Sequence, residues 1–189
     1  DVPFDVDLEQ LSVRAPDNTS LLFILRELEL NSLLKYVAAE PEMQVDYRTV
    51  LTEQQFQNML ADLKQAPELA VDTETTALDP MQAELVGLSF SLLPHKAYYL
   101  PLGHAYTGAP QQLPLKQTLL QIKKLLEDPD VKKIGQNLKY DLLVLRHAGI
   151  EMRGIYFDTM IASYLLNPSK ASHGLDALAL EYLNHKNIS

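Results

Sequence analysis

The chain has 189 residues, 47% of them hydrophobic, and no cysteine, which is enough apolar material for one sizeable core with an appendage and excludes a disulfide framework. Its formal net charge of -9 argues against a protein that simply coats nucleic acid with Lys and Arg. No apolar run is long enough to span a bilayer and no leader-like segment opens the chain, so the expected setting is a reducing cytoplasm, without a membrane partner.

Residues 1–39 open with acidic, Pro-containing sequence and then carry Leu21, Leu22, Leu25, Leu28, Leu33 and Val37 at roughly helical intervals, which predicts one or two helices. Glu40, Pro41 and Glu42 break that pattern, placing a domain boundary near Pro41 and then a linker running into a short edge strand at about Arg48. Thr52 and Gln55 form a Thr-x-x-Gln capping box, and Phe56, Met59, Leu60 and Leu63 make the apolar stripe of a helix to about Lys64. After Pro67 the period changes to two: Leu69, Val71 and Thr73 face one way, Ala70, Asp72 and Glu74 the other, so this is a strand with acids at its C-terminal end. Leu85 to Ser91 and Ala97 to Pro101 predict two more strands in an antiparallel meander turning at Pro94.

Leu115, Leu119, Ile122 and Leu126 mark a helix that stops before Pro129. Val131 to Gly135 reads as a short strand leading into a helix from about Leu138 to Ala148. Gly154 to Asp158 repeats the pattern before a helix Thr159 to Leu166, and a last helix covers about Leu175 to Leu183. The expected fold is α/β: a mixed sheet of about five strands, the first three antiparallel, flanked by helices, with an N-terminal helical appendage. Right-handed crossovers would set the fourth strand beside the first. The bases Lys123, Lys124, Lys132, Lys133 and Lys139 cluster in this half, where phosphate contact and a solvated edge are equally good readings.

Asp72 and Glu74 project from one face of a central strand. Asp141 falls in the first turn of a helix that starts at the neighbouring strand's end. If those strands are adjacent and parallel, three carboxylates meet at one end of the sheet. Such a cluster either takes up protons or holds cations, because each like-charge pair at about 4 Å costs roughly 4 kcal/mol at an effective dielectric near 20. Oxygen ligands select hard ions such as Mg²⁺ or Mn²⁺, and two such ions suit phosphodiester hydrolysis. An isolated Asp-x-Glu is more often two solvated acids. Acids interrupting an apolar strand, with a second Asp arriving beside them, shift the balance towards a site.

Val71-Asp72-Thr73-Glu74-Thr75 with Leu78, and Gly135-Gln136-Asn137-Leu138-Lys139-Tyr140-Asp141, resemble the first and second acidic motifs of the DEDD exonucleases. Leu85 to Phe90, Gly149-Ile150-Glu151, Arg153-Gly154-Ile155 and Phe157 to Met160 resemble the 3′ to 5′ proofreading domain of bacterial DNA polymerases I. The resemblance covers about residues 45–189. Residues 1–39 are similar to the end of the 5′ nuclease domain that precedes proofreading. The implied division is a tail with linker over 1–40 and an exonuclease domain over 41–189.

The resemblance implies a ribonuclease H-like fold and two divalent ions, Mg²⁺ or Mn²⁺. Asp72 would bridge both, Glu74 would bind one and orient the attacking water, and Asp141 would complete the other shell. Leu78 would wedge against the terminal base, and Gln136, Asn137 and Tyr140 would line the single-strand groove. For Leu78 and Tyr140, core packing is an equally good reading. The implied partners are the single-stranded 3′ end of DNA and a polymerase domain in the same parent chain, with the protein a monomer. His173 resembles a position near the groove, although its sequence context reads as a solvated loop. His95, His104, His147 and His185 show no metal-ligand spacing and receive no role.

The family's third motif, Tyr-x-x-x-Asp, has no counterpart among these residues. The expectation is a domain truncated before that motif, with weak metal retention and little activity of its own. Asp158 matches a position that is structural in the family and is not a substitute. Two other readings are an RNA exonuclease like ribonuclease D, since contacts to the 2′-OH are not legible in sequence, and a non-catalytic polymerase spacer, against which the retained acids argue.

Overall fold

A computed structural model describes residues 13, 15–28, 30–37, 45–183, 185 and 187. Two compact units share the chain, one comprising residues 1–41 with 176–189 and the other residues 42–175. The first contains α1 (Asn18–Glu27) and α2 (Asn31–Val37). Asp17 caps α1, accepting from Thr19 N at 3.1 Å and Ser20 N at 3.2 Å, which satisfies two of the donors a helix start leaves open. The apolar intervals do place helices here, but Leu25 and Leu34 are the buried positions while Leu28 and Leu33 are exposed. Pro41 and its neighbours lie outside the described residues.

The second unit is built on a sheet of six strands: β1 (Asp46–Thr49), β2 (Glu68–Thr75), β3 (Leu85–Leu93), β4 (Lys96–Pro101), β5 (Lys132–Gly135) and β6 (Ile155–Asp158), in the order β1-β4-β3-β2-β5-β6. β2, β3 and β4 form the expected antiparallel meander, and β5 pairs parallel with β2, as right-handed crossovers dictate. The sixth strand is the edge segment β1, which runs parallel to β4. The helices of the unit are α3 (Glu53–Gln65), α4 (Leu115–Leu126), α5 (Leu138–His147) and α6 (Thr159–Leu166), and α7 (Leu175–Leu183) runs into the other unit. Among the described residues, no helix is long and apolar enough to cross a membrane.

Period-two patterning decides which face is covered. Leu69 and Val71 of β2, Leu88 and Phe90 of β3, and Tyr98 and Leu100 of β4 are buried in one cluster with Phe56, Met59 and Leu63 of α3, Ile122 and Leu126 of α4, and Leu138, Val144 and Leu145 of α5. The capping box at α3 is formed on both sides by Thr52 and Gln55. Asp72 and Glu74 alternate with these core residues and are exposed.

The lysine cluster divides on folding. Lys133 is fully buried and donates from Nζ to the Asp128 carbonyl at 2.5 Å, so it does not contact phosphate, and burial lowers its pKa to about 8. An unfolded lysine titrates near 10.5, so between about pH 8 and 10.5 the unfolded chain binds the extra proton and stability rises with pH. Lys133→Met is expected to abolish that rise, as read from urea midpoints across the window. An unchanged slope would place the titrating group elsewhere.

Candidate active site

β5 pairs with β2 through Glu68, Leu69 and Ala70, so the rest of β2 extends beyond its neighbour. Gly135 ends β5, and a Cβ there would come 2.3 Å from Leu138 Cδ2 and 3.0 Å from the Val71 carbonyl oxygen; glycine lets the turn into α5 press closely on Leu138 and on β2. Asn137 then takes a left-handed conformation, φ 56°, and its own side chain makes no capping bond. Asp158 does the capping from β6. Its oxygens accept from Asn137 N at 3.1 Å and Leu138 N at 2.7 Å, and also from Met160 N at 2.9 Å and Ile161 N at 3.1 Å. One carboxylate thus holds the starts of α5 and α6, the positive ends of both. Asp158→Ala is expected to cost roughly 2 to 3 kcal/mol, measured as a lower denaturation midpoint; a change below about 0.5 kcal/mol would show that the caps are dispensable.

Fixed this way, α5 delivers Asp141 to the free edge of β2. Asp141 is buried, and its Oδ1 accepts from Thr73 N at 3.0 Å and Thr73 Oγ1 at 2.7 Å. It therefore takes the backbone donor of the residue that separates Asp72 from Glu74. The three acids share one stretch of strand edge, and electrostatics registers it. Burial first, then the charges of Asp141 and Glu74, push the Asp72 carboxyl up to about 6 although the residue is exposed. Burial likewise raises Asp141, with the Asp158 charge adding to it.

As these side chains stand, no group of three or more His, Cys, Asp or Glu among the described residues is gathered closely enough to hold a metal ion. The donors nevertheless fit a hard divalent cation in kind and charge. They are carboxylate oxygens of neighbouring acids, and Asp72 titrates high partly because of the charges beside it.

Leu78 is 97% exposed, which removes core packing as its explanation. Tyr140, half-buried against the core, donates to the Ala77 carbonyl at 2.5 Å and shares a 2.6 Å hydrogen bond with Thr75 Oγ1. It thereby ties down the loop that carries Leu78. Gln136 donates to the His173 carbonyl at 2.8 Å and accepts from Thr159 Oγ1. His173 is not a solvated loop residue. It is buried, stacks on Tyr164 at 3.6 Å between centroids, and bonds Ser163 Oγ through Nδ1 at 2.7 Å. Tyr99 and His104, which no sequence motif singles out, share a hydrogen bond beside Glu74.

A family model described as 3′-5′ exonuclease matches residues 47–189. DNA polymerase I of Pseudomonas aeruginosa is 39% identical over 203 residues, covering 100% of this chain and 22% of the relative. DNA polymerase I of Rhizobium leguminosarum is 41% identical over 146 residues, 68% of this chain and 14% of the relative. The chain thus spans 22% or less of the length of these two relatives. Among solved structures, Brucella melitensis NrnC with bound Mg²⁺ superposes with a TM-score of 0.56 at 26% identity, over 78% of this chain and 65% of that one. The POL domain of Pol1 from M. smegmatis, in complex with DNA primer-template and dNTP, shares the fold with a TM-score of 0.58 at 22% identity, over 74% of this chain and 23% of that one.

Proposed function

We propose, starting from the fact that this chain belongs to the 3′-5′ exonuclease family, that it is the proofreading part of a DNA polymerase I and removes nucleotides from single-stranded 3′ ends of DNA by hydrolysis. The observation that carries this reading is the Asp141 bridge to Thr73, which brings a carboxylate from α5 against the strand stretch bearing Asp72 and Glu74. Asp72, Glu74 and Asp141 are the residues that would hold two Mg²⁺ or Mn²⁺ ions. When bound, such ions acidify the attacking water and offset charge on the leaving oxygen.

Glu74, exposed on the same face as Asp72, accepts a hydrogen bond from the attacking water and sets its line of approach to the terminal phosphorus. Hydrolysis breaks the bond from that phosphorus to the 3′ oxygen of the preceding nucleotide and leaves a new 3′ hydroxyl. Asp141 keeps its place through Thr73. Leu78 presents an uncovered apolar side chain to the terminal base, and Tyr140 fixes the loop behind it. Gln136 and Asn137, at the turn into α5, border the strand's path.

Stepwise loss of nucleotides from a 5′-labelled single strand, dependent on Mg²⁺ or Mn²⁺ and faster on DNA than on the matched RNA, is the test in the full protein. A faster rate on RNA would move the assignment to a ribonuclease D-like enzyme, and no metal-dependent loss would leave a spacer. Leu78→Ala is expected to raise KM for a short single strand roughly tenfold, equivalent to about 1.4 kcal/mol of apolar contact, with the unfolding midpoint unchanged. An unaltered KM would remove Leu78 from the groove.

A further inference from the structure

The open face of the sheet carries a second cluster beside the carboxylates. Cross-strand register sets Glu74 opposite Gly87 and Asp72 opposite Ser89, and Ser89 in turn pairs with Tyr99. Tyr99 lies over the space that Gly87 leaves. A Cβ built on Gly87 would stand 2.5 Å from the Tyr99 hydroxyl and 2.8 Å and 2.9 Å from two ring carbons. The hydroxyl therefore ends above the backbone position facing Glu74.

There it hydrogen-bonds His104 Nε2. His104 is anchored in turn: its N–H donates to Gln112 Oε1 at 2.9 Å and its carbonyl accepts from Gln112 Nε2 at 2.7 Å. Tyr106 meets the imidazole edge-on at 5.7 Å between centroids. Burial, and after it the Glu74 charge, raise the Tyr99 phenol.

We propose that Tyr99, held by His104, is a positioning residue for Glu74: its hydroxyl fixes the orientation of the Glu74 carboxylate and of the water that Glu74 orients. The proposal rests on the exonuclease reading of the site. A carboxylate only accepts hydrogen bonds, and a phenol has a single proton to give. If His104 carries its proton on Nε2, it donates to the Tyr99 oxygen and leaves the phenolic proton for the Glu74 side. This role for Tyr99 therefore requires the Nε2-protonated imidazole. A hydroxyl fixed from behind in this way restricts a flexible carboxylate to one approach, which is worth rate and not affinity.

The test uses Tyr99→Phe, which removes one oxygen, and Gly87→Ala, whose new methyl displaces the hydroxyl, with Asp72→Ala as the reference, all in the full protein. Tyr99→Phe is expected to lower kcat about tenfold with KM within about twofold, and Gly87→Ala to do the same. In metal-free protein, ¹⁵N spectra of the imidazole should show His104 protonated on Nε2, with its resonances displaced by Glu74→Gln. If Asp72→Ala keeps its rate, the exonuclease reading fails. If Asp72→Ala is inactive while Tyr99→Phe keeps kcat within twofold or changes only KM, the positioning role is overturned. A proton on His104 Nδ1, or resonances that ignore Glu74→Gln, overturns it independently of turnover. Should Gly87→Ala fail to fold, Tyr99→Phe and the spectra decide.

Discussion

Asp72→Ala in the full protein is expected to reduce exonuclease turnover by on the order of 10³-fold while the protein stays folded. The two halves of this expectation have separate causes. Asp72 is exposed on the open face of β2, so removing its carboxylate opens no cavity in the core. The same carboxylate feels the charges of both Asp141 and Glu74, and a divalent cation held by these acids would draw on its oxygens. Release of nucleotides from a labelled strand gives the rate, and circular dichroism gives the fold. A rate within a few-fold of the parent would remove Asp72 from the reaction.

The second large effect links pH to metal. Burial and the neighbouring acids raise the Asp72 carboxyl to about 6, whereas an unfolded aspartate titrates near 3.8. Between these values the folded protein holds a proton that the unfolded chain has released. This group therefore destabilises the metal-free fold as pH rises from about 4 to 6, and the cost is fully present above 6. Burial moves Asp141 in the same direction. A divalent cation binds the ionised acids and reverses the penalty. Mn²⁺ should accordingly raise the unfolding midpoint at pH 7.5 and have no effect by pH 5. Asp72→Asn should stabilise the metal-free protein at pH 7.5, should lose that advantage at pH 4, and should blunt the response to Mn²⁺. A Mn²⁺ effect of equal size at both pH values, or one untouched by Asp72→Asn, would show that the ion binds elsewhere.

Patterning exposed most of the architecture because β2 and α3 each pair a clean period with a local stop or cap. The alternation of Leu69, Val71 and Thr73 with Asp72 and Glu74 names the covered and open faces of β2 without any tertiary knowledge. The partner of Asp141 was not legible in the same way. It depends on β5 pairing with β2 only as far as Ala70, which frees the Thr73 N–H, and register of that kind is set by how turns pack.

Lys133 misled for a related reason. Within Lys132-Lys133-Ile134 the second lysine faces inward, and its ammonium is tolerated because the Asp128 carbonyl receives it. His173 is buried by its stacking on Tyr164 and its bond to Ser163, contacts that no local spacing encodes. The family resemblance gives Asp158 a structural position, and its reach to the start of α5 emerges only once β6 lies beside β5. Tyr99 and His104 lacked any motif, and their meeting beside Glu74 follows from the absence of a side chain at Gly87, one strand away.

Whether these acids hold a divalent ion is decided by anomalous diffraction from crystals of the full protein soaked in Mn²⁺. A peak about 2.1 Å from a carboxylate oxygen of Asp72 is expected, with Glu74 or Asp141 completing its surroundings, and it should vanish in Asp72→Ala. Manganese bound elsewhere, or a peak that survives that substitution, would contradict the assignment of the site.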